Sequence, residues 1–259
     1  MIIVRSILFN AMFYLNLVFL LIVEMGALLI SRGAVIAVAR FWARSSLWML
    51  RVICNIDVAW QGIEKIPPGA VIVGAKHQSF WETFALLTLF PDPTFIVKRE
   101  LMWIPMFGWC LWRGGMIPVD RGAGKPAMTV MNARARAQLE DGRQIIIFPE
   151  GTRRPPRAEP KYKYGIAYVY AEGAAPCLPI ALNSGLFWPR RSLRRVPGTI
   201  VVEALEPIAP GLDRKIFAAR LESVLEDATA RLVAEGRREI ANRDAAQNPH
   251  DDGAGNSAS

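Results

Sequence analysis

Residues 143–150, Arg-Gln-Ile-Ile-Ile-Phe-Pro-Glu, hold the clearest buried strand of the chain: three consecutive isoleucines closed by an aromatic residue and a proline. A β-branched run without polar alternation fits a strand covered on both faces, as in a parallel sheet flanked by helices. Residues 70–77 (AVIVGAKH) repeat the pattern and run into a loop. Working outward, further strands are read at 58–67 (VAWQGIEKIP, with a turn), 94–100 (TFIVKRE), 116–121 (MIPVDR), 175–183 (APCLPIALN) and 198–205 (GTIVVEAL). Helical segments alternate with them. Ser79 opens one that stops before Pro91, and Pro126 stands in the first turn of another that Gly142 ends. Residues 213–240 carry Phe217, Leu221, Val224, Leu225, Ala228 and Leu232 at helical spacing. This alternation predicts an α/β fold, a mostly parallel sheet wrapped by helices, over residues 51–240.

Ahead of it, residues 7–23 are almost wholly apolar, and a second apolar stretch starts at Met25. A bilayer crossing needs roughly 20 apolar residues, so 7–30 is long enough to span; two helices dipping into one leaflet are the alternative. Glu24 ends the first apolar run and no A-x-A site follows, which argues against a cleaved signal peptide. Arg32, Arg40, Arg44 and Arg51 follow the run while Arg5 alone precedes it, so the main domain is expected in the cytoplasm. Residues 1–50 are accordingly read as membrane-associated helices. Residues 241–259, rich in Asn, Asp, Gly and Ser, are read as a disordered tail.

The formal charge is +8 with an apolar share of 52%. That charge suits a polyanionic partner, and the apolar N-terminus selects an anionic phospholipid membrane over nucleic acid. The three cysteines, Cys54, Cys110 and Cys177, are widely spaced and read as core residues of a reducing compartment. Of the two histidines, His250 falls in the tail, so the folded part holds His77 alone. A multi-histidine metal site is thereby excluded, and no metal or cofactor is expected.

Two clusters stand where such a fold places its sites, at the carboxyl ends of strands. In Lys76-His77-Gln78-Ser79-Phe80-Trp81-Glu82, a carboxylate can fix the tautomer of a histidine acting as general base. The same spacing, Ser79-x-x-Glu82, is also a capping box, and spacing alone leaves both readings open. In Phe148-Pro149-Glu150-Gly151-Thr152-Arg153, glycine permits close backbone approach and arginine can grip a phosphate, while a plain turn is the alternative.

Together the clusters resemble the glycerolipid acyltransferase family. Its first block, His-x-x-x-x-Asp, falls on His77 to Glu82. The second matches Ile117-Pro118-Val119-Asp120-Arg121, the third Phe148 to Arg153, and the fourth Leu178-Pro179-Ile180, all in order within residues 72–183. One departure is Glu82, where the family commonly has aspartate. The resemblance implies that His77 takes the proton of an acceptor hydroxyl, Glu82 orients the imidazole and Lys98 stabilises the oxyanion. Lys98 also reads as an ordinary strand-end lysine. Arg121, Glu150, Gly151, Thr152 and Arg153 form the implied phosphate pocket, with Glu150 orienting Arg153 or a glycerol hydroxyl. The implied co-substrate is acyl-CoA or acyl-carrier protein, and the implied setting a bacterial inner membrane. The acceptor is a lysophospholipid: lysophosphatidic acid first, lyso-ornithine lipid as the alternative.

Rival readings are weaker. A serine hydrolase built on Ser79 lacks a G-x-S-x-G elbow. A basic membrane-anchored binding protein explains the charge but not four ordered blocks. Trp103, Trp109 and Trp112 with Phe107 are read as lipid-facing, channel-lining or core. Arg190, Arg191, Arg194 and Arg195 are read as a headgroup contact or a solvated loop.

Overall fold

The computed structural model describes residues 1–120, 122 and 124–247; Arg121 and residues 248–259, with His250, lie outside the described residues. The strands are β1 (Ile56–Gln61), β2 (Val71–Ala75), β3 (Pro93–Lys98), β4 (Ile117–Val119), β5 (Gln144–Ile147), β6 (Cys177–Leu182) and β7 (Gly198–Ala204). They form one sheet in the order β1-β7-β6-β2-β5-β3-β4. From β6 to β4 every pairing is parallel; β7 reverses against β6, and β1 runs parallel to β7. The expected mostly parallel sheet is therefore present, with one antiparallel step.

Period-two alternation divides the core between the faces. Val71 and Val73 of β2 pack on one side with Leu50, Trp81 and Phe84. Ile72 points to the other, with Leu139, Ile166, Phe217, Leu221 and Leu225. The first face is covered by α2 (Arg32–Cys54) and α3 (Trp81–Ala85), the second by α5 (Gly124–Glu140), α6 (Gly165–Gly173) and α8 (Arg214–Gln247). Tyr170 and Phe217 stack there with centroids 3.7 Å apart, fixing α6 on α8. Three helices form where the sequence reading placed none: α4 (Phe107–Arg113), α6 and α7 (Ser184–Phe187). In α4 the glycine is a packing requirement, because a Cβ on Gly108 would come within 2.1 Å of the Met102 carbonyl oxygen. The helix expected from Ser79 to Pro91 is shorter: α3 gives way to a 3-10 turn at Leu86–Thr88. At the other end α8 continues past residue 241 to Gln247, into the segment read as tail.

The N-terminal segment is a helical hairpin. α1 (Ile2–Ile30), long and apolar enough to cross a bilayer, stops at Ser31, whose extended backbone breaks the helix. The Ser31 hydroxyl then accepts the Ala34 N–H (3.1 Å) and caps α2. α1 is fastened to the domain along its length. Phe9 and Phe13 enter the core beside Trp188, Asn10 Nδ2 donates to the Leu193 carbonyl (3.0 Å), and Arg113 Nε donates to the Leu28 carbonyl (3.1 Å). Its other face, with Ile3, Ile7, Leu15, Phe19 and Ile22, is exposed, as are Phe41 and Trp48 of α2. Trp103, Trp109 and Trp112 are exposed too, so of the three readings for these tryptophans the core is excluded.

Arg195 is not a headgroup contact, because it is 4% exposed. Its guanidinium lies 4.0 Å from the Trp188 ring centroid and donates to Asn10 Oδ1 (2.7 Å), and its backbone N–H donates to the Ser6 hydroxyl (2.9 Å). Burial pulls this group down to about 10, still charged at neutral pH. It latches α1 onto the domain. Arg195→Ala should lower stability by about 2–4 kcal/mol, the scale of lost hydrogen bonds to a charged group and a desolvated cation–π contact. Denaturant unfolding in detergent, with protease cleavage of α1 as a second readout, checks this; an unchanged midpoint would show that the latch carries no stability.

Candidate active site

The pairing of β2 with β5, Gly74 opposite Ile147, brings the segments that follow them to one edge of the sheet. These are the two clusters singled out by sequence. Arg154 N–H donates to the His77 carbonyl (2.8 Å), tying one loop to the other. The His77 ring stacks on Phe148 at 4.1 Å between centroids, tilted 16°.

His77 Nδ1 stands 2.9 Å from Glu82 Oε1. A carboxylate only accepts, so Nδ1 carries the proton and Nε2 is left as the basic nitrogen. Glu82 is fully buried. Its Oε1 also accepts the backbone N–H of Gln78 (2.6 Å) and Ser79 (2.7 Å), and its Oε2 accepts the Ser184 hydroxyl (2.8 Å). Cap and orienter are thus one carboxylate oxygen in two roles. The helix itself starts one residue later than Ser79 predicts, and the Ser79 hydroxyl accepts the Trp81 N–H (2.8 Å). Ser184, which follows the fourth block, went unnoticed in the sequence because nothing about a single serine marks its partner.

Beside this pair opens a cavity of about 430 Å³. His77, Phe148 and Gly151–Arg153 line it, and its remaining wall is mainly apolar, with Leu17, Leu20 and Leu21 of α1, Ile36, Ala39 and Trp42 of α2 and Phe107 and Leu111 of α4; Glu24 of α1 and Thr83 are polar exceptions. Of the aromatic segment only Phe107 is among the lining residues. Lys98 lines the cavity as well, its ammonium paired with Glu100 at 2.7 Å. Gly151 takes φ 65°, and its N–H bonds the Phe148 carbonyl (2.9 Å) in a tight turn.

Glu150 stands elsewhere than expected. It is 2% exposed and pairs with Lys76 Nζ (3.0 Å), not with Arg153. Lys76 also meets Glu226 of α8, which accepts the Tyr162 hydroxyl (2.7 Å). This buried network behind the His77 loop was invisible in sequence, since Glu226 lies 150 residues from Lys76 on a regular helix. Burial pushes the Glu150 carboxyl above its ordinary range; Lys76 acts against the shift and Glu226 with it. A raised carboxyl favours folding while protonated and penalises it as pH climbs past the ordinary value of about 4.3. Lys76 offsets that penalty. Lys76→Met should therefore cost about 3–5 kcal/mol at pH 7 and distinctly less at pH 5. Unfolding at the two pH values decides; a pH-independent loss would reduce the lysine to a packing role.

The acyltransferase family model matches residues 57–183. The 1-acyl-sn-glycerol-3-phosphate acyltransferase of Pseudomonas aeruginosa is 37% identical over 165 residues, 64% of each chain. The alpha form of that enzyme from Mus musculus is 30% identical over 159 residues, 60% of this chain and 56% of the mouse protein. The alignments thus span less than two thirds of either relative. In fold, the chain resembles the crystal structure of the 1-acyl-sn-glycerophosphate (LPA) acyltransferase PlsC from Thermotoga maritima, with a TM-score of 0.73 over 90% of this chain and 99% of that one at 21% identity. Every expected site residue thus falls inside residues 57–183, the stretch that matches the acyltransferase family model.

Proposed function

We propose that the chain moves a fatty acyl group from acyl-CoA or acyl-carrier protein to the sn-2 hydroxyl of 1-acylglycerol-3-phosphate, giving phosphatidic acid. The observation that carries this reading is a single imidazole, oriented by a buried carboxylate, beside an apolar cavity that Arg153 also lines. The names of the relatives support the same acceptor. In this reading the cavity holds a fatty acyl chain, and its thioester carbonyl stops at His77. The acceptor hydroxyl gives its proton to Nε2 as its oxygen attacks that carbonyl. Glu82 stabilises the imidazolium that forms. When the tetrahedral intermediate collapses, the C–S bond breaks and the proton passes to the leaving thiolate. Lys98 is the donor for the oxyanion and exchanges its partner Glu100 to reach it; such a donor is worth about 3 kcal/mol of barrier. Arg153, with Gly151 and Thr152, receives the acceptor phosphate, and Arg121 is assigned to the same pocket. Glu150 acts from behind, through Lys76.

The membrane completes the reading. α1 is bonded to the domain near both ends, so it runs along the domain surface, which suits a hairpin lying in one leaflet better than a helix crossing the bilayer. Its exposed apolar face then meets lipid on the cytoplasmic side of a bacterial inner membrane, where a single-chain lysophospholipid enters laterally.

Full-length protein in detergent, given lysophosphatidic acid and either donor, should yield phosphatidic acid by mass spectrometry, and His77→Ala should abolish it at near wild-type thermal stability. Residual turnover above a few per cent would remove His77 from the base role. Arg153→Ala should raise KM for the acceptor by roughly 2–3 kcal/mol in binding and leave the donor KM nearly unchanged; an equal effect on both substrates would mean the phosphate pocket is misassigned. Glu82→Gln keeps an acceptor for the Gln78 and Ser79 N–H groups but loses the charge. Stability should stay within about 1 kcal/mol while kcat falls by orders of magnitude. A near wild-type kcat would leave Glu82 as a cap alone.

A further inference from the structure

A second pocket, of about 210 Å³, lies beside the catalytic loop and shares no lining residue with the acyl cavity. Its walls are Pro155, Pro156 and Gly185, with Arg190 and Arg191 on one side and Gln78, the neighbour of His77, on another. Gln78 is fully buried, and its Oε1 accepts the Gly185 N–H (3.0 Å). Its Nε2, also buried, has no hydrogen-bond partner among the described residues. An amide N–H₂ left unpaired in a protein interior costs roughly 1–3 kcal/mol unless something accepts from it. Arg190 spends one N–H on the Arg153 carbonyl (2.8 Å), so its fork is anchored to the active-site loop with donors to spare. Arg191 takes φ 58°, left-handed for a residue with a side chain. Among the described residues no carboxylate lines the pocket. Two guanidinium groups and an unpaired amide donor, set against proline walls, suit a phosphate.

We infer that this pocket is a second anion subsite, and that it takes the phosphate of the donor's phosphopantetheine arm. The inference rests on the acyl-transfer reading above. In 1-acylglycerol-3-phosphate the reacting hydroxyl and the phosphate sit on adjacent carbons, so that phosphate must stay beside His77, in the cavity with Arg153. A phosphate in a separate pocket needs a longer arm to its reacting end. In a pantetheine thioester many bonds separate the thioester carbon from the phosphate, and the same arm is common to coenzyme A and carrier protein. The subsite therefore serves either donor.

The test compares acyl-CoA with the same acyl group on N-acetylcysteamine, a thioester that lacks any phosphate. In the double variant Arg190→Gln/Arg191→Gln, KM for acyl-CoA should rise at least about tenfold, the scale of one charge-assisted hydrogen bond. KM for the acyl-N-acetylcysteamine and for the acceptor should stay within about twofold. Gln78→Glu, which keeps the acceptor for Gly185 and replaces the amide donor by a negative charge, should weaken acyl-CoA selectively in the same way. An equal rise for both thioesters, a rise for the acceptor alone, or no change would overturn the assignment. If the wild type acylates nothing, the acyl-transfer reading fails first. Calorimetric binding of 4′-phosphopantetheine against pantetheine, in wild type and double variant, still decides on the pocket: a phosphate-dependent gain lost in the variant supports it, and equal binding of both compounds overturns it.

Discussion

The parallel pairing of β2 with β5 is the constraint on which the rest of the molecule depends. Both strands are buried on both faces, so their register is held by apolar side chains pointing both ways. With Gly74 opposite Ile147, the chain leaves the sheet at the same level twice. One exit becomes Lys76–Glu82, the other Phe148–Arg154, and the Arg154 to His77 backbone bond joins them. A one-residue slip would turn every isoleucine of β5 to the opposite face and part the two loops. The isoleucine run thus does more than fill the core: it sets where the imidazole stands relative to the basic loop.

Within that frame, Glu82 explains why a capping box and a histidine–carboxylate pair occupy the same residues. A buried carboxylate needs donors for both oxygens. Backbone N–H groups of Gln78 and Ser79 and the Ser184 hydroxyl provide them whether or not the imidazole is charged. The helix start therefore holds the carboxylate rigid, and the rigid carboxylate holds the imidazole. Cap and orienter competed in the sequence reading only because spacing cannot show that one oxygen reaches three donors.

Seven strands and the two site loops were legible in the sequence because their signal is local: apolar runs, glycine and proline stops, and motifs a few residues long. What escaped was non-local or tertiary in cause. Lys76 and Glu226 meet across the fold from a strand end and a helix face. Glu150 stands in the third block, yet it turns back to Lys76 instead of forward to Arg153, a choice set by burial. Arg195 sits among exposed arginines and reads like them, but Asn10 and Trp188 bury it. α4 was hidden by Gly108, which helical propensity disfavours and close packing against Met102 requires.

The N-terminal hairpin joins an exposed apolar face to the wall of the cavity. α1 turns one face outward with Ile3, Leu15 and Phe19 and gives Leu17, Leu20 and Leu21 to the cavity wall. The helix that would contact acyl chains in a leaflet is thus the helix that would contact the acyl chain being transferred. A long alkyl group loses little on leaving lipid for such a wall, since both surroundings are apolar. Selectivity then has to come from shape and from the groups near the reacting end. That division places His77, Glu82, Arg153 and the Gln78 pocket on the sheet edge, and leaves the hairpin to supply a surface that is apolar apart from Glu24. It also accounts for the latch: with α1 forming one wall of the cavity, any loosening of Asn10 and Ser6 from Arg195 would widen the space beside His77.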